Sequence, residues 1–271
     1  MGAFTGKTAV VTGASSGIGR AIALRLGDAG AHVFAAGRQQ EALAGTVAAV
    51  AAAGGAATAV PADLRSPGEV QGLVDRAMAD TGRLDVMVNN AAVSFRGPIA
   101  DSDPAAWREM LEVNVLALAV GSQAAVRAMR ACRAHGHIVN ISSSATLQPA
   151  PGFYGATKTA VNAITASLRQ ELENDTIRVV TVIPGLTATN LGRHQPALVR
   201  GLAASLGEET APPPGGLFPP EALDRIAAAS GPGLAQADDV ARAVLFAISQ
   251  PIELSISEII VQPARRLAVP A

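Results

Sequence analysis

The chain has 271 residues, 49% of them apolar and only 3% aromatic, with a formal net charge of −1. That balance argues against a nucleic-acid or anionic-membrane surface, since either needs a marked excess of lysine and arginine. The single cysteine, Cys132, excludes an internal disulfide and a cysteine-based metal cluster, and is read as an inert thiol.

In chain order, the opening "MGAFTGKTAVVTG" lacks the apolar core of a signal peptide. Gly6 stands where myristoylation would need Ser or Thr. No apolar run approaches the roughly 20 residues of a membrane span, so a cytoplasmic protein is expected. "KTAVVTG" (7–13) predicts a buried strand. "IGRAIALRLGDAG" has helical spacing and stops at Gly30. "AHVFAAG" is a second strand, and "QEALAGTVAAVAAAGG" an alanine-rich helix closed by two glycines. "ATAVPAD" is a third strand, residues 67–81 a helix, and "LDVMVNN" a fourth strand. Pro104 opens a long helix to about Arg130. "GHIVNISS" is a fifth strand, Tyr154 to Asn174 a helix, and "IRVVTVIPG" a sixth strand. Glycine and proline then cluster through 190–235. "DDVARAVLFAIS" and "SISEIIVQP" form the last helix and strand. The alternation predicts an α/β fold, a doubly wound parallel sheet with helices on both faces. No linker or repeat divides residues 1–271, so one domain is expected.

"TGASSGIG" (12–19) lies between the first strand and first helix. Glycines there let backbone approach a pyrophosphate, and the helix N-terminus offers free N–H groups. The candidate cofactor residues in this loop are Gly13, Ser15, Ser16, Gly17, Ile18 and Gly19. The spacing is GxxxGxG rather than the commoner GxGxxG.

With "YGATK" (154–158) downstream, the chain resembles the short-chain dehydrogenase/reductase family over nearly its whole length. Asp63-Leu64 is similar to the family's adenine-holding pair. "NNAA" (89–92) resembles its NNAG, with Ala92 in place of glycine, and contributes Asn90 and Ala91 to the cofactor site. Asn114 in "EVNVLA" matches the asparagine of the fourth helix. "NISS" matches the catalytic strand. "PGLTAT" (184–189) resembles the segment beside the nicotinamide, with Pro184, Gly185, Thr187 and Thr189. The resemblance implies a seven-stranded Rossmann-type sheet, a nicotinamide cofactor, a small carbonyl or alcohol substrate, and a substrate lid at 190–235. It also implies dimers or tetramers built on the helices at 104–130 and 154–174; a homotetramer is expected, a homodimer second.

Tyr154 is the only tyrosine, and Lys158 lies one helical turn on, on the same face. A phenol titrates near pH 10. A neighbouring ammonium favours the phenolate, so Tyr154 can exchange a proton with a carbonyl or alcohol oxygen while the cofactor exchanges a hydride. The resemblance gives Lys158 a second task on the nicotinamide ribose, and Asn114 a relay water. A serine should steady the reacting oxygen. Strand alternation sets Ser142 and Ser144 on one face and Ser143 on the other. The family's usual position is Ser143, here eleven residues before Tyr154, where the family more often has twelve or thirteen; Ser142 would restore twelve. Ser143 is favoured, because a loop absorbs a deletion more easily than a strand absorbs a register slip.

At the end of the second strand, where an acidic residue would select NAD, the chain has Gly37 followed by Arg38. A guanidinium can pair a phosphate with two N–H bonds. NADP(H) is therefore expected over NAD(H), carried by Arg38 with help from Ser15 and Ser16, although Ser16 stands where many NADP-preferring relatives carry a second basic residue. The histidines His32, His135, His137 and His194 show no ligand spacing, so no metal site is assigned. Trp107 is assigned to packing or an interface, and Glu208-Glu209 to solvated surface. Phe95, Leu147, Leu191 and Phe218 are candidates for the substrate cleft. The ending "SISEIIVQPARR" lacks the glycine-rich close of fatty-acid-type ketoacyl reductases. It is more similar to members acting on hydroxy acids, small alcohols or specialised metabolites. The alternative function is a dinucleotide-binding regulator or scaffold without turnover.

Overall fold

Seven short, β-branched runs pair in parallel in the order β3-β2-β1-β4-β5-β6-β7 in the computed structural model. It describes residues 2–95, 97–148, 152–191 and 220–265. The strands are β1 Thr8–Thr12, β2 His32–Gly37, β3 Ala56–Pro61, β4 Val86–Asn89, β5 Gly136–Ile141, β6 Ile177–Pro184 and β7 Glu258–Val261. β1, β4 and β5 are buried along their whole length, which is why they read as apolar runs rather than alternating ones. The order reverses between β1 and β4, and the crevice above their C-terminal ends is where this architecture takes ligands.

The helices are α1 Gly17–Asp28, α2 Gln40–Ala52, α3 Pro67–Thr81, α4 Pro104–Leu111, α5 Ala117–Ala131, α6 Gly152–Glu171, α7 Pro220–Ser230 and α8 Ala237–Ile248. Two apolar layers result. Ile22, Leu26, Val240 and Val244 cover one face of the sheet, and Leu73, Val74, Ala125 and Met129 the other. α3 keeps the predicted bounds because both ends carry local signals. Ser66 caps it by accepting from Glu69 N, Pro67 occupies the first turn, and Gly82 closes it at φ 72°.

The single helix expected from Pro104 to Arg130 is interrupted. Glu112–Leu116 form a π turn between α4 and α5, with the Ala117 N–H donating to the Glu112 carbonyl five residues back. One extra residue is looped into the helix at Asn114. π turns of this kind are rare and concentrate at functional sites, and nothing in helical periodicity marks one. The 28 residues Pro104–Ala131 are long and apolar enough for a bilayer by length and composition, and 56% of that apolar window is buried inside the protein. α7 is a second element not expected from the sequence. It falls in the region assigned to the lid, of which 192–219 lies outside the described residues, as do His194, Glu208, Glu209 and Phe218.

Candidate active site

The glycine loop is built by steric necessity. Gly13 and Gly17 take φ of 67° and 54°, which L side chains rarely adopt. A Cβ on Gly19 would lie 2.3 Å from the Gly13 carbonyl oxygen, and one on Gly17 would lie 3.1 Å from Thr189. α1 starts at Gly17, and its N-cap Ser16 makes no side-chain cap bond, so the first turn keeps N–H groups for a ligand. Ile18 packs against the core. The arrangement fits a dinucleotide: backbone comes close where phosphate needs it, and Thr189 stands directly across from the loop.

Asn90 and Ala91 brace this loop from β4. Thr12 Oγ1 accepts from both backbone N–H groups at 3.0 and 3.1 Å, while Asn90 Nδ2 donates to the Thr12 carbonyl at 2.9 Å. A Cβ on Gly13 would meet Asn90 Nδ2 at 2.8 Å. Thr12 carries no cofactor motif of its own, yet it ties the two segments together. Beneath them Asn89 Nδ2 donates to Ser122 Oγ and Asn140 Oδ1, and Asn140 Nδ2 donates to Thr165 Oγ1, a buried polar chain from α5 to α6. Satisfied networks of this kind rigidify a site.

Beside the glycine loop, β2 and β3 finish side by side, with Gly37 opposite Pro61. A Cβ on Gly37 would find Ser15 Oγ at 3.6 Å, so Ser15 borders the strand end. Arg38 Nη1 lies 3.7 Å from Glu109 Oε1. Asp63 is clamped by Arg65, which donates from its backbone N–H at 3.0 Å and from Nε to both carboxylate oxygens at 2.9 Å. Those bonds hold the Asp63 carboxyl down to about 2. Leu64 is buried in the core, so only its backbone can face a ligand.

Pro184 ends β6 and the Gly185 N–H donates to Val261 O at 2.7 Å. Thr187 Oγ1 donates back to Gly185 O, and Thr189 Oγ1 accepts from Leu191 N. This turn carries Thr189 over the glycine loop.

Tyr154 and Lys158 sit in the first turns of α6 and are both buried, at 5% and 2% exposure. Lys158 Nζ donates to the Ile141 carbonyl at 2.8 Å, and burial pushes its ammonium down to about 8. Tyr154 packs with Val93, Met110 and Val113, with Phe95, Phe153, Trp107 and Leu191 around them. Trp107 stacks on Phe153 at 4.9 Å. Leu147 is instead half-exposed. Asn114 is 1% exposed and its side chain is a brace: Oδ1 accepts from Val93 N at 2.9 Å, and Nδ2 donates to Val93 O at 3.0 Å and Thr157 Oγ1 at 3.1 Å. Thr157 Oγ1 donates to the Tyr154 carbonyl. The loop after β4 and the helix of Tyr154 are thus pinned through one amide.

The alternation expected of the three serines does not run through Ser144: β5 ends at Ile141, Ser144 opens a 3-10 turn, and it is half-buried like Ser143. Ser142 is buried, its Oγ directed at the Lys158 carbonyl 3.5 Å away. Ser143 is half-buried at the cleft end of β5, its Oγ accepting from Ala145 N at 3.2 Å. Ser94, which no sequence motif marks, is buried beside Val93 with no hydrogen-bond partner for its hydroxyl among the described residues. Among the described residues no three His, Cys, Asp or Glu side chains converge on a point that could hold a metal.

The short chain dehydrogenase family model matches residues 7–200. An oxidoreductase of Methylorubrum extorquens is 39% identical over 96% of this chain and 97% of its own. The glycine betaine reductase ATRR of Emericella nidulans is 33% identical over 97% of this chain, which spans 19% of that longer protein. A metagenomic short-chain oxidoreductase solved with NADP superposes with a TM-score of 0.74 at 31% identity, covering 97% of this chain and 100% of that one. A Burkholderia phymatum short chain dehydrogenase/reductase solved with NAD gives 0.77 at 31% identity, covering 96% and 90%. The family model covers most of the chain and the seven-stranded parallel sheet superposes on these structures, so the chain belongs to the short-chain dehydrogenase/reductase family of NAD(P)-dependent oxidoreductases.

Proposed function

We propose that the protein is an NADP(H)-dependent oxidoreductase that interconverts a ketone or aldehyde and an alcohol, with Tyr154 as general acid/base. The observation that carries this is the buried Tyr154–Lys158 pair, with Tyr154 set in an apolar cluster and Lys158 one turn on. A bound nicotinamide supplies or accepts the hydride. Tyr154 gives its phenolic proton to the carbonyl oxygen in reduction and takes it back in oxidation. Lys158, with a pKa of about 8, keeps most of its charge at pH 7 and so favours the phenolate. The Ile141 carbonyl fixes the ammonium. Ser143 steadies the reacting oxygen; Ser142 is less suited because its hydroxyl is turned to the Lys158 carbonyl. Asn114, in its π turn, positions the water that returns the proton.

Arg38, Ser15 and Ser16 hold the 2′-phosphate, Asp63 and the Leu64 backbone the adenine, and Thr187 and Thr189 the nicotinamide side. Residues 190–235 act as a lid within a single domain of 1–271. The substrate is a hydroxy acid, small alcohol or specialised metabolite, or the matching carbonyl compound. The enzyme works in the cytoplasm as a homotetramer, supported by Leu111 and Leu116, large apolar side chains left exposed along the α4–α5 helix.

The test is kcat/KM with NADPH and NADH over a ketone and aldehyde panel. NADPH should win by about ten- to a hundredfold, the size of one charge-assisted contact. A Gly37→Asp, Arg38→Leu double variant should reverse the order, and Tyr154→Phe should abolish turnover while dinucleotide still binds. A parent that prefers NADH, or a double variant that keeps its NADPH preference, would refute the cofactor assignment. Binding without turnover across the panel would favour a regulator or scaffold instead.

A further inference from the structure

Arg38 does not stand alone at the end of β2. Its partner Glu109 lies on α4, and both side chains remain partly open to solvent, at 46% and 27%. At 3.7 Å this is an ion pair without a hydrogen bond. Asp63, on the neighbouring strand end, also lies in the field of Arg38, but its own charge is covered by the hydrogen bonds from Arg65. Glu109 has no such cover: Arg38 is its one ion-pair partner among the described residues. Its field reaches Arg65 as well. The strand ends therefore carry two guanidiniums faced by the carboxylates of Asp63 and Glu109, with Glu112 adding to the negative field at Arg65. A 2′-phosphate arriving at Arg38 would meet a cation already answered by Glu109.

We propose that Glu109 is a specificity-determining residue: its carboxylate competes with the 2′-phosphate for Arg38 and limits the preference for NADP(H) over NAD(H). This rests on Arg38 as the 2′-phosphate contact. Two effects oppose each other. Glu109 holds Arg38 near the strand end before ligand arrives, which helps, and it repels the phosphate, which hurts. Repulsion dominates. A loose, half-exposed pair orients its members weakly. A carboxylate touching the same guanidinium stays inside the Debye length of about 8 Å from the phosphate.

Glu109→Gln keeps the side-chain shape and removes the charge. The experiment is fluorescence titration of NADP+ and NAD+ on the parent and this variant, at about 50 mM and about 500 mM salt. NADP+ should bind about three- to tenfold tighter to the variant at low salt, with NAD+ unchanged within about twofold. The difference should shrink at high salt. Glu109→Lys, folded by circular dichroism, should extend the trend in the same direction. An NADP+ affinity that stays the same or weakens, or an equal gain for both cofactors, would overturn the role of Glu109. The parent reports separately on the underlying reading. A parent that binds NAD+ more tightly rejects Arg38 as the phosphate contact. A parent that prefers NADP+ by a ratio Glu109→Gln leaves unmoved rejects only Glu109.

Discussion

Asn114→Asp isolates what the Asn114 brace is worth, because it changes hydrogen-bond polarity without opening a cavity. The Oδ1 contact to Val93 N survives. The Nδ2 position becomes an oxygen facing the Val93 carbonyl at 3.0 Å and the Thr157 hydroxyl oxygen at 3.1 Å. That hydroxyl already donates to the Tyr154 carbonyl, so it cannot easily turn to help. Two buried donor–acceptor contacts become acceptor–acceptor contacts. At about 1–3 kcal/mol for each buried polar group left without a partner, the loss should be roughly 2–6 kcal/mol. The introduced carboxyl can regain one donor by taking a proton, and burial between acceptors raises its folded-state pKa. The folded variant then binds the proton more readily than the unfolded chain does. Stability relative to the parent is therefore recovered as pH falls through that folded-state pKa, and lost as pH rises through it. Urea unfolding at fixed protein concentration, with the parent measured at each pH, reports the difference. A deficit under about 1 kcal/mol at pH 7.5 would refute the brace, set against the cost expected for two orphaned groups. So would a deficit of the same size at pH 5.5 as at pH 7.5.

Three further outcomes are expected. Ser143→Ala should lower kcat by about a hundredfold or more, and Ser142→Ala by less; the reverse order in steady-state assays would move the catalytic role to Ser142. His137, buried in β5, is pushed down by desolvation to about 4 from an ordinary 6.5. On acidification the unfolded chain takes this proton first. Stability present above pH 6.5 is thus lost as pH falls through 4, by about 3 kcal/mol, and His137→Gln should flatten that limb in a pH series of urea midpoints. Light scattering at micromolar concentration should give the mass of a tetramer, and a monomer would remove the proposed pairing of the α4–α5 and α6 helices.

The features legible along the chain are those whose causes are local. Gly13 and Gly17 mark a turn with positive φ, because only glycine enters that region without strain. Apolar runs of β-branched residues become buried strands. Tyr154 and Lys158 share a face because four residues span about one helical turn. The bounds of α3 follow from Ser66, Pro67 and Gly82, all within reach of the helix they limit. The remaining features arise between segments distant along the chain and exist only once these are packed together. Asn114 bonds partners 21 and 43 residues away, and no local pattern shows that its amide is occupied by Val93 and Thr157. The π turn around it has no periodicity signal of its own. Which serine is turned toward α6 depended on how β5 packs beneath that helix. Arg38 reads in sequence as a free cation at a strand end. Glu109 reaches it only after folding brings α4 to the end of β2, and long-range electrostatics depends on distances that a linear chain does not state.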